Sequence, residues 1–136
     1  MDNVEFVFTV EELDRMRLLR LVMPAKIAPS TLAAASANYL ALWDDERPTV
    51  GLGDLRHLQD LSAEMVEIFT VFARRVTVLP NYVATAWFTG PNHPVSDRLR
   101  ALADAAGRDP NSIVATERQA LAYLRSRIQA YRASGG

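Results

Sequence analysis

Residues 48–75 read PTVGLGDLRHLQDLSAEMVEIFTVFARR, and the remainder of the chain is arranged around them. Thr49 to Leu55 has the composition of a buried inner strand. Its alternation places Val50 and Leu52 on one face and Gly51 and Gly53 on the other. Glycine weakens a strand, so two at alternate positions imply that something lies very close to that face. Two occupants fit: the backbone of a covering helix, or a ligand. Arg56 to Leu61 reads as a loop, and Ser62 or Asp60 caps the helix that follows. Met65, Ile68, Phe69 and Phe72 recur at helical spacing and form its buried stripe. Glu64 and Glu67 stand near its start, Arg74 and Arg75 near its end, as the helix dipole favours. Val76 to Leu79 reads either as a strand or as the unwinding helix, and Pro80-Asn81 breaks the chain.

On the N-terminal side, Val4, Phe6, Phe8 and Val10 alternate with Glu5, Val7 and Thr9, a strand with one apolar face. Glu11 to Met16 turns the chain, with Asp14 as the turn residue, and Arg17 to Met23 is a second strand. The short link makes the pair an antiparallel hairpin. Pro29 and Ser30 open a helix that Ser30 caps, with Leu32, Ala35, Tyr39, Leu40 and Trp43 on its apolar stripe and Ser36 beside it.

On the C-terminal side, Tyr82 to Thr89 is a strand and Asn92-His93-Pro94 a loop. A helix begins near Ser96 and stops at Gly107. Asn111 to Ala115 is a short strand, and TERQ at 116–119 is a capping box opening the last helix. The order β-β-α-β-α-β-α-β-α predicts parallel crossovers after the hairpin. The expected fold is α/β: one domain over 1–136, with a mixed sheet of about five strands and about four helices.

Bulk composition excludes several functions. The net charge is -1, from 15 basic and 16 acidic residues, which leaves no electrostatic footprint for nucleic acid or an anionic membrane. Lys26 is the only lysine; codon bias in a GC-rich genome accounts for such a chain, as does Arg-rich recognition. There is no cysteine, hence no disulfide, thiol nucleophile or thiolate zinc site. No apolar run reaches the ~20 residues of a membrane helix, and MDNVEFVF lacks the basic start of a signal peptide. A bacterial, cytoplasmic protein is the expectation.

The search for chemistry finds little. His57 and His93 are the only histidines, and their separation matches no metal-ligand spacing. His57 follows Arg56 near Asp60 and reads as a loop side chain or a proton carrier beside Asp54. GLGDLR lacks the third glycine of a dinucleotide fingerprint, and its glycines sit inside the strand. Asp54 with Asp60 matches no metal loop. No cofactor is therefore expected. Tyr39, Trp43, Trp87 and Phe88 stand at core spacing, or alternatively line an apolar pocket near Gly51 and Gly53.

The layout, and the segment TVGLGDLRHLQDLSAEMVEIF at 49–69, resemble a STAS-type domain, the fold of the anti-sigma-factor antagonists. That family carries an apolar strand ending in Asp-Leu, a short loop, an Asp-Ser-Ser-Gly-type turn and a helix. Asp54-Leu55 takes the strand-end role here, and Asp60-Leu61-Ser62-Ala63 falls at the phosphorylatable turn. Ser62 is the only hydroxyl left there, because Leu61 and Ala63 replace the first serine and the glycine. ATERQALAYLRSR at 115–127 is similar to the closing strand and helix of the stage II sporulation protein AA-like group. The resemblance implies a non-enzymatic regulatory module that binds a protein partner or a second copy of itself. The implied contact residues are Arg56, His57, Asp60, Ser62 and Glu64, with Ser62 as the phosphorylation site. The alternative is an apolar-ligand binder with a pocket between helices and sheet, touching Gly51, Gly53, Tyr39, Trp43 and Trp87. A small enzyme using His57 and Asp54 is a third possibility.

Overall fold

The computed structural model describes residues 6–135. Five strands lie in the order β1-β2-β3-β4-β5: Val7–Leu13, Met16–Val22, Thr49–Asp54, Tyr82–Phe88 and Ile113–Val114. β1 and β2 are antiparallel, and each later neighbour pairs in parallel. The helices are α1, Pro29–Trp43; α2, Ala63–Thr77; α3, Ser96–Ala105; and α4, Glu117–Ala133, with one 3-10 turn at Pro110–Ser112. The expected order and the mixed α/β sheet are both observed.

The two faces of the sheet carry separate cores. Leu19, Leu21, Trp87 and Ile113 meet residues of α1, α2 and α3 on one face. Leu18, Val50, Leu52, Ala84, Ala86 and Phe88 meet Ala120, Leu124 and Ile128 of α4 on the other. Three crossovers advancing in one direction with one hand lay their helices on the same face. The chain after β5 turns to cover the opposite face. β3 is third in the order and buried throughout. It therefore reads as apolar on one side and glycine on the other, with no polar face.

Several local expectations are corrected. Val4 and Glu5, placed on the first strand, lie outside the described residues. β1 itself runs later than expected, because the turn is only Asp14-Arg15, both at positive φ (49° and 68°). That two-residue turn matches the right-handed twist of the strands it joins. Phe6 and Phe8 pack against the three-helix core, whereas Val10 is 55% exposed on the outer edge strand. Ser30 does not cap α1: extended Ala28 holds the cap position without a side-chain bond, and Pro29 takes the first helical site. Val76 to Leu79 is not a strand; α2 continues to Thr77. The capping box of α4 is present, with Thr116 Oγ1 accepting from the Gln119 N–H and Gln119 Oε1 from the Thr116 N–H.

Candidate functional site

β3 and β4 are parallel and in register from Asp54 to Phe88, so their carboxyl ends open on one edge of the sheet. Open α/β sheets bind ligands outside the carboxyl ends of their strands. The chain leaves β3 there and enters α2 through Leu55 to Ser62. Leu55, Leu58 and Leu61 are buried and point every third residue into the three-helix core. Backbone bonds hold the loop: Leu55 N–H donates to Phe88 O (2.9 Å), Leu58 N–H to Leu55 O (3.2 Å) and Gln59 N–H to Ala25 O (3.2 Å). Arg98 of α3 donates to Leu61 O at 2.6 Å. Between these anchors, Arg56, His57, Gln59, Asp60, Ser62, Ala63 and Glu64 are exposed. The result is a fixed corner with a polar outer surface.

Ser62 is the cap of α2: its Oγ accepts from the Met65 N–H at 3.2 Å, with Glu64 in the first turn. The hydroxyl thus meets one of the helix's free N–H groups while its residue stays exposed. Asp60 does not cap the helix; its Oδ1 accepts from the Leu61 N–H at 2.8 Å. Asp54 is bound to Arg56 by Nε–H to Oδ1 (3.0 Å), Nη2–H to Oδ2 (2.8 Å) and the Arg56 backbone N–H (3.1 Å). Burial alone pushes the Asp54 carboxyl up. The side-chain and backbone bonds from Arg56 outweigh it and hold the group below the usual carboxylate range. The Arg56 guanidinium also lies 5.2 Å from the centroid of the Phe88 ring. Asp54 therefore serves the corner as an anchor for Arg56. Among the described residues, no cluster of three or more His, Cys, Asp or Glu could hold a metal ion.

The five corner residues named from the sequence are all exposed within residues 56–64. The second set, Gly51, Gly53, Tyr39, Trp43 and Trp87, comes together, but as packed core. A Cβ added to Gly51 would stand 2.8 Å from Trp43 Cζ2, and one added to Gly53 only 2.5 Å from Trp87 Cδ1. The close neighbour of the glycine face is thus a pair of indole rings. It is neither the helix backbone nor the ligand that the sequence left open. Tyr39 meets Trp43 edge-on at 6.5 Å and donates to Leu19 O at 3.0 Å; burial pushes its phenol far up. Trp43 Nε1 and Thr85 Oγ1 are buried beside Gly51 without a hydrogen-bond partner.

Three features escaped the sequence reading. Arg108 is buried: it bonds Thr77 Oγ1 (3.0 Å) and Ala73 O (3.3 Å) near the end of α2, and lies over Trp87 (5.5 Å) and Tyr82 (5.8 Å). Burial holds its guanidinium below the usual arginine range. A polar hollow of about 460 Å³ opens after β4, lined by Thr89, His93, Ser96 and Arg100 among others. There Thr89 Oγ1 and Ser96 Oγ lie 3.1 Å apart, and His93 Nδ1 accepts from the Val95 N–H. Finally, a groove of about 480 Å³ runs outside the core between α1 and α2.

No family model matches the chain. No curated protein matches it either. Among solved structures it is similar to an anti-sigma-factor antagonist (STAS) domain protein from Planctomyces limnophilus, at a TM-score of 0.60 and 15% identity. The alignment covers 87% of this chain and 97% of that one. At such identity the likeness is one of fold, and the fold is STAS-like. No helix among the described residues is long and apolar enough to cross a membrane.

Proposed function

We propose that this STAS-like chain is a non-enzymatic interaction module whose corner between β3 and α2 docks a protein partner. The observation that carries the reading is the corner's construction. Buried Leu55, Leu58 and Leu61 fix the backbone, while Arg56, His57, Asp60, Ser62 and Glu64 face outward. A surface already held in one shape loses little freedom on binding. The solved neighbour's description as an anti-sigma-factor antagonist supports a role of this kind. So does the engagement of Asp54 by Arg56, which leaves His57 without a carboxylate set aside to orient it.

Ser62 is the switch in this reading. A phosphate on its Oγ sits at the start of α2, where free N–H groups and the helix dipole favour negative charge. It adds nearly two negative charges beside Asp60 and Glu64, changing what the surface attracts. In this reading the kinase that modifies Ser62 is ATP-dependent, and the chain it meets is cytoplasmic. The test is affinity capture with the tagged full chain, scored by quantitative mass spectrometry. At least one protein held by the wild type is expected to fall about tenfold with the Ser62→Ala, Glu64→Lys double variant and with Ser62→Asp. If every captured protein is retained by both variants, the corner is not the docking surface.

A further inference from the structure

α1 carries no charged residue in its 15 positions, PSTLAAASANYLALW. The other helices do: Glu64, Glu67, Arg74 and Arg75 in α2, Asp97 and Arg100 in α3, Glu117 and Arg125 in α4. A helix on the surface normally turns a charged face to water, and α1 turns none. Leu32, Tyr39 and Trp43 account for the inner side of α1. Its outer side exposes Ala33, Ala34, Ala37 and Ala41, with only the neutral Ser30, Thr31 and Asn38 exposed beside them. Across the groove α2 presents Ile68 and Val71, and Val71 is 47% exposed. Alanines at i, i+4 and i+8 let another helix approach to the short end of the usual packing range.

The charges on the rim identify the occupant. Glu67 lines the groove four residues before Val71, and Arg75 lines it four residues after. Each is about 6 Å from Val71 along the axis, on the same face of the helix. The rim is thus acidic toward one end and basic toward the other, with an exposed valine midway. A uniformly acidic or basic partner would be repelled at one end. A second copy, turned by a two-fold axis through Val71, meets its opposite charge at both ends. Such self-complementarity is what a symmetric dimer interface requires.

We propose that the groove between α1 and α2 is a self-association surface, closed by a second copy packed antiparallel about Val71. Glu67 of each copy pairs with Arg75 of the other, and the alanine face of α1 becomes the apolar floor of the dimer. This surface adjoins the corner and shares Glu64 with it, but Arg56, His57, Asp60 and Ser62 do not line it.

Sedimentation of the full chain over about 1–100 µM tests the proposal. The wild type is expected to dimerise, and Val71→Glu, which sets like charges on the axis, to give monomer. Glu67→Arg and Arg75→Glu singly should each weaken dimerisation at least about tenfold. Both changes in one chain should restore it to within about threefold of the wild type, a rescue that no loss of folding can imitate. Val10→Lys on the open edge of β1 should leave it unchanged. A wild type that stays monomeric overturns the proposal. So does a dimer that survives Val71→Glu, a double charge swap that fails to rescue, or loss of the dimer in Val10→Lys.

Discussion

Replacing Gly53 by alanine tests whether β3 carries glycine because an indole lies on it. The new Cβ would fall 2.5 Å from Trp87 Cδ1, 3.0 Å from Nε1 and 3.2 Å from Cγ. Carbon atoms rest at about 3.5–4.0 Å, so the ring would have to retreat by about 1 Å. It has nowhere to go: Trp87 is buried, the Phe69 ring lies 6.0 Å away and the Arg108 guanidinium 5.5 Å away. Overpacking of this kind costs about 1–3 kcal/mol and occasionally more. The alanine gains about 0.5–1 kcal/mol by restricting the unfolded chain. With the clash at the upper end of its range, the net loss is about 2 kcal/mol. For a chain of this length that lowers Tm by roughly 6–10 °C. Urea titration followed by tryptophan fluorescence and by far-UV circular dichroism reads both the global midpoint and the indole's surroundings. A Gly53→Ala protein as stable as the wild type, or more so, would refute the reasoning, because only the unfolded-chain term would then remain.

Other consequences follow from the same contacts. Ser62→Ala removes the cap of α2 and should cost about 1 kcal/mol in thermal unfolding, whereas Ser62→Asp should keep most of it. Asp54 has a lower pKa folded than unfolded, so the unfolded chain binds more protons in acid. Its contribution is full above the unfolded value and lost as pH falls through the folded one. Between about pH 5 and 2, Asp54→Asn should therefore show a flatter stability profile than the wild type; equal slopes would assign the acid sensitivity elsewhere. Arg108→Met keeps the apolar stem but loses the bonds to Thr77 and Ala73 and the stack on Trp87. Urea unfolding should report a loss of about 1–3 kcal/mol.

The parts of this molecule written in short-range pattern were legible. The alternation in Thr49–Asp54 told which face was apolar and which was glycine, and the TERQ box marked the start of α4. What filled the glycine face was not legible, because Trp43 and Trp87 reach it from elements 8 and 34 residues away in sequence. Arg108 was hidden for the same reason: nothing near Gly107 signals that the next side chain turns inward under α2. The hairpin turn was misjudged because Asp14-Arg15 holds two left-handed residues without a glycine. Arginine is a costly choice there, so the residue types pointed to a longer turn. At the corner the pattern left the cap between Ser62 and Asp60, and Ser62 holds it. The leucines at 55, 58 and 61 went unnoticed as anchors, though their spacing within a polar loop was the available signal.

The most direct measurement is hydrogen exchange by mass spectrometry on the full chain, alone and bound to a protein co-purified with it. If the corner between β3 and α2 is the docking surface, the amides from Arg56 to Val66 slow markedly on binding while those of α4 do not change. Protection confined to α4 or to the outer edge of β1, with the corner exchanging as freely as before, would contradict the account.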